Sequence, residues 1–264
     1  MMNNEQQLAT IIEGLTILGL DNISSNLTNY LKEAINNKMT IIDFLSEVIE
    51  TERVIKVNKR IETKMRYAGF PNRKTFEMFD FDFQPSIDKE LIMILKTLKF
   101  IENKENIAFI GTPSVGKTHL SIAFGMQAIH TKYTTHFVNC HKLIEDLFKA
   151  SFENRLKDKI NYYARFDLLI IDEIGFLPMD VTRANLFFQL INKRYEKKST
   201  IITTNKPFSQ WGDVFSDITI ASAILDRFLH HCHTVNIKGD SYRLKERKEV
   251  MKNKEEGVNT LFIK

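Results

Sequence analysis

Apolar residues recur at helical spacing through the first quarter of the chain. The first stripe consists of Leu8, Ile11, Ile12, Leu15 and Leu18. A second stripe consists of Ile23, Leu27, Tyr30, Leu31 and Ile35. Gly19 and the pair Asn36 and Asn37 mark the breaks, and a longer pattern then runs from Thr40 to about Ala68, with Thr40 as N-cap and Asp43 at the capping-box position. These patterns predict a small, all-helical amino-terminal domain over residues 1–68.

An aromatic segment follows at 69–86, after Gly69-Phe-Pro-Asn-Arg has broken the helical pattern. We interpret this segment as a linker between two domains. Its aromatic residues fit two roles, because they could line an adenine pocket or simply pin the linker onto the core. These residues are Phe76, Phe79, Phe81 and Phe83. From Asp88 to Phe100 the apolar spacing predicts one helix.

Short apolar runs then alternate with helical patterns, which predicts an α/β domain over 87–264 with a parallel sheet and helices on both faces. The predicted strands are 107–110, 135–138, 168–171, 200–204 and 234–237. The predicted helices between them are 119–129, 141–152 and 183–197. The third strand is continuously apolar, as a central parallel strand should be.

The turn after the first of these strands has the pattern of a phosphate-binding loop, G-x-x-x-x-G-K-[ST]. Backbone N–H groups at the start of the following helix would face phosphate oxygens, and the helix dipole favours their charge. We expect Lys117 to reach the β- and γ-phosphates of ATP and the Thr118 hydroxyl to bind Mg²⁺. The predicted nucleotide-binding residues are Gly111, Thr112, Pro113, Ser114, Val115, Gly116, Lys117, Thr118 and His119.

Polar residues end the next two central strands. Asp172 and Glu173 follow the apolar run at 168–171, at the strand end where open α/β sheets bind ligands. We expect Asp172 to be the second Mg²⁺ ligand and Glu173 the general base that polarises the attacking water. Asn205, after the strand at 200–204, could hold the water and the γ-phosphate, or it could be an ordinary polar strand end. Lys117 and these residues predict an ATPase.

Charge and composition add a candidate partner. The chain has 264 residues and a net charge of +4, and its two cysteines lack metal-ligand spacing. With no secretory signal or membrane-spanning run, we expect a reduced, cytoplasmic protein without a membrane partner. The stretch 53–74 holds eight Lys or Arg against one acid. Any single one of these basic residues could simply lie on a solvated helix face. The whole stripe of like charges is better explained by binding to a polyanion. Our DNA-binding candidates are Arg53, Lys56, Arg60 and Lys64, with Lys157 and Lys159 added.

Five motifs in order carry a family resemblance. They are GTPSVGKTHL at 111–120, LLIIDEIGFLP at 168–178, IITTNKPFSQWG at 201–212, AILDRFLHH at 223–231 and GDSYRLKER at 239–247. The chain closely resembles the IstB-like ATP-binding proteins, AAA+ helper ATPases encoded beside a transposase in bacterial insertion sequences and similar to DnaC-type helicase loaders. The resemblance implies strand order 5-1-4-3-2, Asn205 as γ-phosphate sensor, and Arg227 as a finger donated to a neighbouring subunit's ATP.

The chain also departs from a general AAA+ protein. Ser114 replaces a frequent glycine, and the tail after Gly239 is too short for a full carboxy-terminal lid. Arg243 is a weak candidate for the missing lid sensor, and the basic tail fits a polyanion-binding surface better. The adjacent His230 and His231 have no third ligand in the sequence pattern, so we interpret them as structural or surface residues.

The expected function is an ATP-dependent regulator of transposition in the bacterial cytoplasm. A homo-oligomer would form with ATP on double-stranded DNA, largely without regard to base sequence, and would recruit or stimulate the cognate transposase. Hydrolysis would then disassemble it. Two rivals remain open: a DnaC-like replicative helicase loader, which should prefer single strands, and a binding module that uses ATP only as a structural ligand.

Overall fold

A computed structural model describes residues 3–245 and 247 of the protein. By its internal contacts the described part of the chain divides into two compact units, with the boundary between Thr63 and Lys64. The predicted roles and boundaries of the amino-terminal domain, the linker and the ATPase domain remain predictions. No helix in the part of the chain that the structure describes is long and apolar enough to cross a membrane.

The amino-terminal unit is helical, as the apolar stripes predict. Helices α1 (Asn4–Ile17) and α2 (Asp21–Asn36) precede α3 (Ile41–Tyr67), which runs on past the end of the unit. The Thr40 Oγ1 accepts a hydrogen bond of 3.2 Å from the Asp43 N–H, so Thr40 caps α3 as predicted. A small core of Ile23, Leu27 and Val48 holds the unit together.

The second unit contains the parallel sheet. In the described residues its helices before the sheet are α4 (Lys89–Lys96) and α5 (Lys99–Glu102). Strands and helices then alternate as β1 (Asn106–Gly111), α6 (Lys117–Thr131), β2 (Thr135–Asn139), α7 (Cys140–Phe152), α8 (Leu156–Ala164), β3 (Leu168–Ile174), α9 (Val181–Arg194) and β4 (Ser199–Thr204). A 3₁₀ turn at Phe208–Gln210, helices α10 (Trp211–Phe215) and α11 (Ile218–Leu229), and β5 (Cys232–Ile237) complete the unit.

The sheet has the order β2-β3-β4-β1-β5, which confirms the predicted order 5-1-4-3-2. All neighbouring strands are parallel. Successive residues of a strand point to opposite faces. Accordingly, Leu168 and Ile170 pack into the cluster that contains α6, whereas Leu169 and Ile171 pack into the cluster that contains α7, α9 and α11. Helices therefore cover both faces of the sheet, and the candidate functional side chains lie at the ends of its strands.

Three features differ from the sequence expectations. The single helix predicted over 88–100 is interrupted, because Leu98 adopts a left-handed backbone (φ 66°) and buries its side chain. The short helices α8 and α10 were not predicted. Helix α10 has only five residues, too few to show a period, whereas Leu156, Ile160 and Tyr163 do give α8 a helical spacing. Helix α9 ends at Arg194 instead of Lys197, where the buried guanidinium donates to the carbonyl oxygens of Tyr163, Ala164, Phe166 and Ser199.

Candidate functional site

The phosphate-binding loop joins β1 to α6, as its pattern predicts. Gly116 has a left-handed backbone (φ 102°) at the start of α6, and a Cβ there would lie 2.5 Å from the Phe79 ring. At Gly111 a Cβ would lie 2.3 Å from the Ile237 carbonyl oxygen of β5. Both positions therefore require glycine for reasons of space, and at Gly116 also for backbone conformation.

Lys117 reaches back over this loop. Its Nζ donates hydrogen bonds of 2.7 Å to the carbonyl oxygens of Gly111 and Thr112. Burial lowers the pKa of Lys117, while the charges of Asp172 and Glu173 raise it. An ammonium group on this loop can exchange its carbonyl partners for phosphate oxygens, which are stronger acceptors because they are charged.

A carboxylate and two hydroxyl groups lie together beside the loop. The Thr118 Oγ1 lies 3.0 Å from Asp172 Oδ1, and the Thr203 hydroxyl donates a hydrogen bond of 2.6 Å to the same oxygen. Asp172 is only 5% exposed, and burial raises its pKa, whereas the two hydroxyl hydrogen bonds lower it. Two oxygens that bind one Mg²⁺ at about 2.1 Å in adjacent octahedral positions are about 3.0 Å apart. The separation of Thr118 and Asp172 thus fits a shared Mg²⁺.

Glu173 is presented differently from Asp172. It lies at an irregularity in the pairing of β3 with β4, has a left-handed backbone (φ 66°), and is exposed. Its N–H donates to the Thr203 hydroxyl at 2.9 Å, and its Oε2 accepts a hydrogen bond of 2.7 Å from Asn139 Nδ2 at the end of β2. The adjacent acids therefore have separate environments, one buried beside Thr118 and one exposed beside Asn139.

These groups open into one cavity of about 550 Å³. Its lining includes these predicted nucleotide and catalytic residues: Pro113, Ser114, Gly116, Lys117, Thr118, His119, Asp172, Glu173 and Asn205. Gly111, Thr112 and Val115 are not among the lining residues, and the Val115 side chain is fully buried. The His119 Nε2 lies 2.8 Å from the Thr75 carbonyl oxygen, so this side chain also contacts the linker.

The linker and the start of the tail form one wall of the cavity. Phe76 is buried and packs edge-on against Phe124, which fits the role of fixing the linker to the core. Phe79 is also buried, yet it lines the cavity together with Tyr242 and Arg243. The Tyr242 N–H donates to the Ser114 carbonyl oxygen at 2.9 Å. Phe79 and Tyr242 thus provide aromatic surface beside the phosphate loop.

Arg227 is not among the residues that line this cavity. It is half-buried on α11, where its Nε donates a hydrogen bond of 2.8 Å to Asn192 Oδ1 and its guanidinium lies 4.9 Å from the centre of the Phe188 ring. Its Nη1 donates to the Ala223 carbonyl oxygen. The structure therefore does not place Arg227 beside the other predicted catalytic residues of the same chain.

The candidate DNA-binding residues have varied surroundings. On α3, Arg53 pairs with Glu50, and Lys64 Nζ donates to the Lys132 carbonyl oxygen. Lys56 and Arg60 are exposed. On α8, Lys157 is exposed, whereas Lys159 forms an ion pair of 3.0 Å with Asp146. The DNA-binding role of all six residues remains a prediction.

Three residues of the site were not singled out from the sequence: Asn139, Thr203 as a partner of Asp172, and Tyr242. The signal for Asn139 and Thr203 was present, because both stand at the carboxyl ends of strands that meet at one edge of a parallel sheet. Tyr242 had no such signal, since its contact with Ser114 joins distant parts of the chain.

Relatives of the chain come from insertion sequences. The chain is 44% identical over 246 residues to a protein described as an ATP-binding protein of insertion sequence IS232 from Bacillus thuringiensis subsp. berliner, with 93% of this chain and 97% of the relative covered. It is 42% identical over 235 residues to the corresponding protein of insertion sequence IS21 from Pseudomonas aeruginosa, with 89% of each chain covered.

Solved structures support the fold. DnaI has a TM-score of 0.55 at 17% identity, with 63% of this chain and 92% of that chain covered. The replication initiator DnaA, bound to AMPPCP and single-stranded DNA, has a TM-score of 0.54 at 23% identity, with 70% of this chain and 56% of that chain covered. The sheet order is the one that the resemblance to the AAA+ helper ATPases implies. A family model described as IstB-like ATP binding protein matches residues 14–250. The chain therefore belongs to the family of IstB-like ATP-binding proteins.

Proposed function

We propose that this protein is an ATP-dependent, DNA-binding ATPase that assists transposition. It assembles on target DNA with ATP, recruits or stimulates the transposase, and leaves the DNA when ATP is hydrolysed. The proposal rests on one observation. A single cavity is lined by Lys117, Thr118, Asp172, Glu173 and Asn205. The relatives from insertion sequences support the transposition role.

The residues divide the chemistry among them. Lys117 binds the β- and γ-phosphates, and Thr118 and Asp172 hold Mg²⁺, which neutralises charge on the phosphate oxygens. Glu173, exposed at the cavity, takes a proton from the attacking water. Asn205 orients that water through its amide. A module that used ATP only as a structural ligand would have no need for a carboxylate in the position of Glu173.

The proposed assembly rests on Arg227, which the family resemblance implies is donated to a neighbouring subunit's ATP. A guanidinium that lies outside its own nucleotide cavity can complete the cavity of a neighbouring copy. Such an arginine contributes about 10³–10⁵ in hydrolysis rate in related phosphate-transfer enzymes. In this proposal ATP is the ligand that joins two subunits, and hydrolysis removes the γ-phosphate that both of them contact.

DNA contacts then come from the basic residues of α3 and α8. Lys and Arg side chains that neutralise phosphates give affinity without base readout. This mode suits a protein that accepts many target sequences. A replicative helicase loader would instead bind a helicase and prefer single-stranded DNA, so a comparison of single- and double-stranded DNA of equal length separates the two functions.

A mixing experiment tests the shared site. Arg227→Ala should bind ATP normally but hydrolyse it poorly, and Lys117→Ala should fail to bind ATP. A mixture of the two should recover part of the hydrolysis rate, because one subunit still donates Arg227 and the other still offers an intact cavity. Arg227→Lys should recover little, since a point charge cannot reproduce the forked guanidinium contact. Hydrolysis by Arg227→Ala at the parent rate would contradict the proposal.

A further inference from the structure

Two histidines and a glutamate meet on a surface away from the nucleotide cavity. The Glu196 Oε1 lies 3.7 Å from His230 Nδ1 and 3.8 Å from His231 Nε2. One donor atom from each of the three residues lies within 4.8 Å of the others. The sequence showed only the two adjacent histidines. The fold supplies the third group, because the loop after α9 comes close to the end of α11.

We propose that Glu196, His230 and His231 form a binding site for a divalent transition metal ion of the zinc type. Imidazole nitrogen and carboxylate oxygen are common zinc ligands. Tetrahedral ligands at about 2.0–2.2 Å from zinc are about 3.3–3.6 Å apart. The observed separations of 3.7 and 3.8 Å from the Glu196 oxygen need to shorten by only a few tenths of an ångström. The donor atoms of His230 and His231 lie within 4.8 Å of each other, so rotation of the two exposed imidazole rings has to bring them closer by up to about 1.5 Å. Three protein ligands leave a fourth position for water or another small ligand.

The backbone on both sides of the site is already fixed. Glu196 stands two residues after Arg194, which anchors this loop through hydrogen bonds from its buried guanidinium to the carbonyl oxygens of Tyr163, Ala164, Phe166 and Ser199. On the other side, the Asn106 N–H donates to the His231 carbonyl oxygen at 2.7 Å. Asn106 Nδ2 also donates to the Phe228 carbonyl oxygen at 2.9 Å. Metal binding therefore requires ordering of three exposed side chains, with the main chain in place.

A tyrosine competes for one of the ligand atoms. The Tyr195 Oη lies 2.7 Å from His230 Nδ1, the same nitrogen that faces Glu196. A metal ion on that nitrogen must displace the hydroxyl group. Removal of the hydroxyl should consequently leave metal affinity unchanged or increase it.

The site lies outside the nucleotide cavity. Glu196, His230 and His231 are not among the residues that line the nucleotide cavity. A bound ion would tie the end of α11 to the loop after α9. Metal binding can therefore be measured without ATP, and its outcome does not depend on the proposed ATPase function.

Calorimetric titration of the full, untagged chain with Zn²⁺, without nucleotide, tests the site. We expect one ion per chain. His231→Ala and Glu196→Gln should each weaken Zn²⁺ binding at least tenfold, because even loss of groups that only orient zinc ligands costs about 10–100-fold. Tyr195→Phe should bind as tightly as the parent or more tightly. His130→Ala, which removes an exposed histidine elsewhere, is the matched control and should leave the affinity unchanged.

Co²⁺ provides a second measurement, since the intensity of its visible absorption reports a four-coordinate site. Absence of Zn²⁺ binding by the parent would overturn the proposal. So would equal binding by the parent and by a chain that carries both His230→Ala and His231→Ala. Thermal unfolding of each variant without metal distinguishes loss of a ligand from loss of the fold, because these exposed side chains should leave the unfolding midpoint unchanged.

Discussion

Asn139 Nδ2 donates a hydrogen bond of 2.7 Å to Glu173 Oε2, and this contact joins the ends of two neighbouring strands at the nucleotide cavity. The bond engages one oxygen of the carboxylate that we propose as the general base, so the Asn139 amide competes with the attacking water for that oxygen. Asn139 also caps α7, since its Oδ1 accepts a hydrogen bond of 2.9 Å from the His141 N–H. One side chain therefore links the proposed general base to the start of a helix.

We expect Asn139→Ser to increase ATP turnover. Serine is a good N-cap, so α7 should stay capped, but its side chain is too short to reach Glu173. A hydrogen bond to a charged group contributes about 1.5–3 kcal/mol, and only part of it is lost in the transition state, so we expect a rise in kcat of roughly three- to tenfold. Steady-state hydrolysis assays measure it. A fall in kcat at constant KM would instead mean that Asn139 orients the base productively.

Asp172→Asn should stabilise the nucleotide-free protein while it abolishes the response to Mg²⁺. Burial raises the pKa of Asp172, so its charge disfavours the folded state at neutral pH. The stabilisation should be largest above the folded-state pKa and should vanish as the pH falls below the usual range of an aspartate. Thermal unfolding at several pH values measures it, with about 2–4 °C expected per kcal/mol.

Asp167→Asn is the matched control for this prediction. Burial raises the pKa of Asp167, but hydrogen bonds from Lys198 and Thr134 outweigh it and leave the pKa below the usual value. The Lys198 Nζ lies 2.6 Å from Asp167 Oδ1. Removal of this charge should lower the unfolding midpoint near neutral pH. The same sign of change in both variants would show that burial does not decide the sign at Asp172.

Glu173→Gln should bind ATP and Mg²⁺ but hydrolyse ATP about 10²–10⁴ times more slowly, because a positioned general base contributes that factor. Since Lys117, Thr118 and Asp172 remain, the assembly on DNA should form and persist. Size-exclusion chromatography with DNA and ATP would show a trapped complex. Lys117→Ala, which should lose nucleotide binding, is the control without assembly. Rapid dissociation of the Glu173→Gln complex in ATP would contradict disassembly by hydrolysis.

Neutralisation of Arg53, Lys56, Arg60 and Lys64 should reduce the salt dependence of DNA binding. Each phosphate contact contributes about 0.9 to the slope of log affinity against log salt, so the slope should fall by up to about 3.6. Arg53 and Lys64 have partners in the free protein, and we expect Lys56 and Arg60 to account for the larger share.

A control with the same change in net charge separates a DNA-binding stripe from general electrostatics. Glutamine at four exposed lysines outside the stripe provides it: Lys32, Lys38, Lys99 and Lys197. If the slope falls equally for both variants, or does not change for the stripe variant, the stripe does not bind DNA. The basic side chains of α3 would then be a solvent-exposed helix face. Fluorescence anisotropy with duplexes of unrelated sequence measures the slope.

The sequence predicted those parts of the protein that are marked by a local motif or by the family resemblance. The phosphate loop, the acids after β3 and the strand order all followed from motifs or from the family resemblance. The interruption at Leu98 did not, because its left-handed backbone is stabilised by burial of that side chain and gives no local signal. The strand order alone places the ends of β2 and β3 side by side, so Asn139 and Glu173 could be predicted to lie close together. The hydrogen bond between them also depends on a local irregularity in β3, which the sequence does not reveal.

The cluster of Glu196, His230 and His231 could not be predicted from the sequence. His230 and His231 are adjacent and visible as a pair, yet Glu196 lies more than thirty residues earlier and follows a helix whose end differs from the predicted one. The position of that end depends on Arg194, whose hydrogen bonds reach α8 and β4. An arrangement that depends on a buried arginine and three separate elements cannot be derived from spacing along the chain.

The sheet order also sets when during synthesis the nucleotide cavity can form. β1 carries the phosphate loop and lies between β4 and β5, so one of its two neighbours is the last strand of the described chain. Gly111 is backed by the carbonyl oxygen of Ile237, about 125 residues later. A nascent chain still missing β5 has the loop sequence but no wall behind it. Nucleotide binding therefore requires a chain that already contains β5, and products that terminate before β5 should not compete for ATP.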